Sequence, residues 1–142
     1  MPIARVYLPL TAAQLADLAA HGELAGDRVR AYAVTPGLAD GFPGADEEEL
    51  EYAALRDASD AARALRDPGQ THRVIAAADV DAAFLHAPDD AAGDVPSRQD
   101  VQGPVALRRV ASFHVDEAPT DDADLLWYDV TEIDEVVRLS TA

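Results

Sequence analysis

The sequence contains no cysteine, no lysine, few aromatic residues and no long apolar run. Each absence narrows what the chain can be. Without cysteine there is no disulfide, no thiolate metal site and no cysteine nucleophile. No apolar stretch approaches the roughly 20 residues that a helix needs to cross a bilayer, so no membrane role is expected. The opening "MPIARVYLPL" lacks the basic region and following apolar run of a secretory signal, which predicts a cytoplasmic protein. No G-x-S-x-G elbow, P-loop or G-x-G-x-x-G occurs, so serine-hydrolase and phosphate-cradle chemistry find no support.

What the chain has in abundance is acid. Its 11 basic residues are all arginine, and the formal net charge is −16. A field of that sign repels nucleic acid backbones, because neutralising phosphate takes clustered cations; no nucleic acid partner is expected. Three readings of the acidity stand beside one another: a solvated surface that favours solubility, which is preferred, an adaptation to high salt, and an acidic face that binds a basic protein partner by mimicry.

At 142 residues the chain has the size of one domain spanning 1–142. Its hydrophobic content is 49%, much of it alanine and valine, which predicts thin, closely approached layers. "IARVYLPL" (3 to 10) alternates and reads as a strand. Thr11 and Gln14 form a capping box for a helix with Leu15, Leu18 and Ala19 on its buried stripe, stopped by Gly22. "DRVRAYAVT" (27 to 35) is a second alternating stretch, and 37 to 45 reads as a glycine-rich loop. In "DEEELEYAALRDASDAARALRDPG", Asp46 and Glu49 make a second capping box. Three glutamates fill the first turn, where the helix dipole favours them, and Pro68-Gly69 ends the helix. Leu50, Ala54, Ala58, Ala61 and Leu65 are its expected stripe, and its small residues predict close approach to a sheet. "THRVIAAADV" reads as a central strand covered on both faces. Residues 82 to 88 read as a short strand or an extended connection, 110 to 115 as a strand, and "LLWYDV" as a strand or a buried helix. Thr131 is the expected cap of a short C-terminal helix. The segments around 88–104 and 117–124 read as mobile acidic loops. The expectation is a single α+β domain: a mixed sheet of about five strands covered by two main helices, in the order β-α-β-α-β-β-β with a short C-terminal helix.

The candidate sites are few. None of His21, His72, His86 and His114 stands at a metal-pair spacing, and the acid groups Asp89-Asp90 and Asp121-Asp122-x-Asp124 lack the spacing of a calcium loop, so no metal and no cofactor are expected. His114 and Asp116 would share a strand face. Glu48 and Tyr52 share a helix face with Glu51 beside it, and Tyr52 is expected to pack its ring at the rim of the core. The least ordinary grouping is basic and aromatic. Arg5 and Tyr7 share one strand face and Arg28, Arg30 and Tyr32 another; if the strands are neighbours, these side chains line a patch for a small anionic ligand, with arginine forks for carboxylate or phosphate. The alternative is cross-strand pairing with acids of the same chain. Trp127 and Tyr128 form a candidate anchor for self-association as a homo-oligomer.

At "RVYLPLT", "AYAVTP", "EEELEYAAL", "RVIAAADV", "GPVALRRVASFHVD" and "LLWYDV", the chain resembles a family of small acidic actinobacterial proteins known as a domain of unknown function. The resemblance covers most of the length and implies no activity. Relatives tend to follow the "WY" pair with an alanine-threonine-glutamine run, where this chain has "DVTEID". At the level of fold, the element order is also similar to the split-sheet domains of the ADP-ribosyltransferase-like class. That likeness implies NAD or another nucleotide held by Arg5 and Thr35, with Tyr7, Arg30 and Tyr32 nearby, and Glu117 or Glu132 as the late glutamate. The preferred reading is a non-catalytic binding or regulatory domain; the alternatives are such an enzyme or degenerate enzyme, and the acidic mimic.

Overall fold

The computed structural model describes residues 2–89, 94–120 and 122–142. Strand β1 (Ile3–Leu10) leads into helix α1 (Ala12–His21) through the expected capping box. The Gln14 N–H donates to Thr11 Oγ1 at 3.1 Å, and the Thr11 N–H donates to Gln14 Oε1 at 2.9 Å. Gly22 closes the helix at φ 74°, a left-handed turn that a side chain would strain. A short strand β2 (Glu23–Leu24) precedes β3 (Arg28–Ala33).

The glycine-rich stretch expected as loop begins instead with a short helix, α2 (Pro36–Gly41). Thr35 Oγ1 accepts from the Leu38 N–H at 3.1 Å, and Pro36 takes a first-turn position where its missing N–H has no partner to lose. Helix α3 (Glu47–Leu65) starts as expected, with Asp46 accepting from the Glu49 N–H at 2.9 Å. Its buried residues are Leu50, Ala54, Ala58, Ser59 and Ala62. Ala62 replaces the expected Ala61, and Leu65 is exposed. A contact row in steps of four is inclined to the helix axis, so α3 crosses the sheet obliquely.

The remaining elements are β4 (Val74–Asp81), β5 (Leu85–His86), β6 (Arg98–Gln102), β7 (Val105–Ala106), β8 (Val110–Asp116), β9 (Leu125–Asp129) and α4 (Ile133–Ser140). Seven strands form one sheet in the order β5-β6-β3-β1-β4-β8-β9, and β2 pairs with β7 apart from it. Every pairing is antiparallel, so the expected mixed sheet of about five strands is larger and of one sense. The added strand β6 lies inside the stretch read as a loop. Its only apolar residue, Val101, enters the core while Arg98, Asp100 and Gln102 alternate on the other face. Thr131 does not cap α4: Asp129 accepts from the Thr131 N–H at 2.9 Å and opens a 3-10 turn ahead of the helix. Asp90 and Asp121, which belong to the two acidic groups of the sequence, lie outside the described residues.

The sheet has a core on each face. Val6, Leu8 and Leu10 of β1 join Leu15, Leu18 and Val136 on the side of α1 and α4. Tyr7, Ile75 and Ala77 meet Leu50, Ala54 and Ala58 beneath α3. The alanines let α3 approach closely, while β4 is buried on both faces as its apolar run requires. Helix α3 packs on β1, β3 and β4. Among the described residues no helix is long and apolar enough to cross a membrane.

Candidate functional site

Strands β1 and β3 are neighbours, with Tyr7 opposite Tyr32. Alternation therefore sets Arg5, Tyr7, Arg30 and Tyr32 on one sheet face. The antiparallel register carries Arg5 and Arg30 to opposite sides of the tyrosine pair, about 13 Å apart along the strands at roughly 3.3 Å per residue. Each arginine already has a partner within the chain. Arg5 donates through Nε and Nη2 to both carboxylate oxygens of Asp79, its cross-strand neighbour on β4, at 2.7 and 3.0 Å. Arg30 donates to the Tyr32 hydroxyl at 3.3 Å. Arg28 pairs with Asp89 at 3.0 Å and Asp100 at 3.5 Å, and Arg98 pairs with Asp100 at 2.6 Å. The Tyr7 hydroxyl donates to Glu51 at 3.4 Å, and burial, reinforced by the Glu51 charge, pushes its pKa up to about 12. Thr35 stands apart from this face, capping α2 and donating its hydroxyl to the Pro96 carbonyl at 2.7 Å.

A polar cleft of about 620 Å³ runs between α3 and the strand pair β8–β9, with His114 on its wall. Burial, and next the charge of Arg5, lowers the His114 pKa and favours the neutral ring. Asp116, on the same strand face, pairs with Arg73 at 2.7 Å, and the two side chains are 1% and 6% exposed. The Arg73 guanidinium also donates to the carbonyls of Ser59 and Ala123 at 3.4 and 3.2 Å. That pair ties α3, β4, β8 and the turn before β9 together. Trp127 stands opposite His114 and is 62% exposed. Its neighbour Tyr128 points to the other face and packs against the α1 and α4 core, so the aromatic pair is divided by the strand's own alternation. Among the described residues no group of three histidines or acids is placed to hold a metal ion.

The most ligand-like concavity lies on the far side of α3, a cleft of about 680 Å³ between α2 and α3. Leu38 and Phe42 come from α2 and its end, Tyr52 and Ala53 from α3, and Val95 and Pro96 from the connection into β6. The connection is fastened as a wall: Thr35 holds the Pro96 carbonyl, and the buried Ser97 hydroxyl donates to Asp57 at 2.6 Å. Tyr52, expected at the rim of the core, is 62% exposed and lines both this cleft and the polar one. It lies between Leu50 and Ala54 of the buried row, which turns it outward. Glu48, Glu49, Asp57 and Asp60 line the cleft with a single cation, Arg56. Sequence patterning misses the cleft because its walls come from three distant segments. The one local sign of it is Phe42, the only aromatic residue in the glycine-rich stretch 37–45.

No curated protein and no solved structure matches the chain. A family does match, over residues 4–123, ending just before β9. The chain therefore belongs to the family described as "Family of unknown function (DUF6912)".

Proposed function

We propose that the chain is a binding domain whose ligand is a small organic ammonium compound with an apolar body, seated between α2 and α3. The observation that carries this reading is the makeup of that cleft: exposed aromatic rings and aliphatic side chains beside four carboxylates and one guanidinium. Such a lining is concave and mostly apolar with a few polar groups, the usual character of a small-molecule site. An ammonium over the face of Phe42 or Tyr52 gains about 0.5–2 kcal/mol from the ring quadrupole. The surplus of acids adds Coulomb attraction and disfavours anions. The sheet-face arginines support an anionic ligand less well, since Arg5, Arg28 and Arg98 are each held by a carboxylate.

Calorimetry with tyramine, an aromatic amine, and with 4-hydroxyphenylacetate, its anionic counterpart, tests the reading. Tyramine is expected to bind and 4-hydroxyphenylacetate not to. Removing two exposed charges together, Glu48→Gln with Asp60→Asn, is expected to weaken tyramine about fivefold, the order of two surface charge contacts. Ala53→Trp fills the cleft and is expected to abolish binding with the circular dichroism unchanged. Equal binding of the two compounds, or tyramine binding that survives Ala53→Trp, overturns the proposal.

A further inference from the structure

Strand β9 is an edge of the seven-stranded sheet, so its outer row of backbone N–H and C=O groups has no strand beside it among the described residues. Proteins usually cover or blunt such an edge. Here α4 follows β9 closely and packs on the α1 face, against α1, β8 and β9, and among the described residues no strand lies along the outer side of β9. Leu126 and Trp127 stand on opposite faces of the strand and are both exposed, at 42% and 62%. A strand added alongside would therefore be gripped from above and below.

Charge decides what that strand is. Residues 117 to 137 contain eight acids and no basic residue. Asp122, Asp124, Asp129 and Glu132 flank or end β9 itself. A second copy pairing edge to edge would set these acids against their own duplicates, in two molecules each carrying −16. A basic segment meets them with opposite sign.

We propose that β9 is a docking strand for an extended, arginine- or lysine-rich segment of another protein, added to the sheet through backbone hydrogen bonds and clasped by Leu126 and Trp127. Backbone pairing supplies affinity in such strand addition, and alternate side chains supply selectivity. The acids steer the encounter and make it depend on salt. This inference does not rest on the α2–α3 cleft.

Trp127 is the only tryptophan, so its fluorescence reports on this edge directly. The probe is a synthetic peptide of alternating arginine and valine, compared with the same peptide N-methylated at alternate amides and with a glutamate–valine counterpart. The unmodified peptide is expected to shift the Trp127 emission to the blue in a saturable way, with affinity falling as sodium chloride is raised. N-methylation, which removes the pairing donors and keeps the charge, is expected to weaken binding about tenfold. The glutamate peptide is expected to be silent. Asp122→Asn with Asp124→Asn is expected to weaken the arginine peptide about fivefold with the thermal midpoint unchanged, since these charges lie in an exposed turn. Equal binding of the N-methylated peptide means charge alone and overturns the proposal. Light scattering that shows a dimer lost on Leu126→Lys also overturns it, because the edge is then occupied by a second copy.

Discussion

At the scale of single residues, burial separates two ion pairs that look alike in sequence. Arg5 and Asp79 form a two-pronged bridge, but their side chains remain 36% and 43% exposed. Water competes for both groups, so the pair contributes little, on the order of 1 kcal/mol or less. Arg73 and Asp116 are almost wholly removed from water. Their mutual attraction mainly offsets the desolvation of two charges, and removing one partner leaves the other stranded. Arg73→Met or Asp116→Leu alone is expected to destabilise the fold by about 3–5 kcal/mol in urea titrations. The double variant is expected to recover a large part of that loss, since no lone charge remains buried. It will not recover all of it, because the carbonyls of Ser59 and Ala123 lose their donor. A single variant within about 1 kcal/mol of wild type would contradict the placement of this pair.

Among the elements, α3 is specified most locally. Asp46 caps the N-terminus, Glu47, Glu48 and Glu49 complement the positive end of the dipole, and Arg63 lies in the last turn. Asp46→Ala is expected to lower stability by about 1 kcal/mol, with Asp46→Ser close to wild type. A loss equal in both variants would mean that the carboxylate acts otherwise than as a cap. Elements of this kind were legible in the sequence because their signals lie within a few residues of the structure they produce. Thr11 with Gln14, Asp46 with Glu49, Gly22, and the apolar run of β4 all belong here. Strand β6 was not legible. It has one core residue, and it is a strand because β3 offers it a register in which Arg30 faces Asp100. The same holds for the grouping of arginines and tyrosines. Alternation correctly placed Arg5 with Tyr7 and Arg30 with Tyr32, but only the register shows that the tyrosines meet and the arginines diverge. Nor could patterning find the α2–α3 cleft, whose walls are drawn together by tertiary contacts such as Ser97 with Asp57.

For the molecule as a whole, the governing quantity is charge. Surface pairs such as Arg28 with Asp89 and Arg138 with Glu135 neutralise only part of 27 acids, and −16 remains uncompensated. At about 0.01 M salt the screening length is roughly 30 Å, so acids on opposite sides of the domain repel one another; at about 0.1 M it is near 10 Å and only neighbours do. Folding concentrates these charges, and unfolding relieves them. Salt also weakens the favourable surface pairs, but each of those contributes no more than about 1 kcal/mol, so the repulsion dominates the sum. The thermal midpoint is therefore expected to rise with sodium chloride, steeply at first and then level off as the screening length falls below the spacing of adjacent acids. Sodium sulfate at equal ionic strength separates screening from exclusion of the salt at the protein surface, which favours sulfate and does not level off. Chloride and sulfate curves that coincide at low ionic strength, with the chloride curve then flattening, would identify the acidity as a solvated surface with ordinary repulsion. A midpoint that keeps climbing into molar sodium chloride would instead favour adaptation to brine, and a flat or falling chloride curve would show that the acids are already compensated in the folded state.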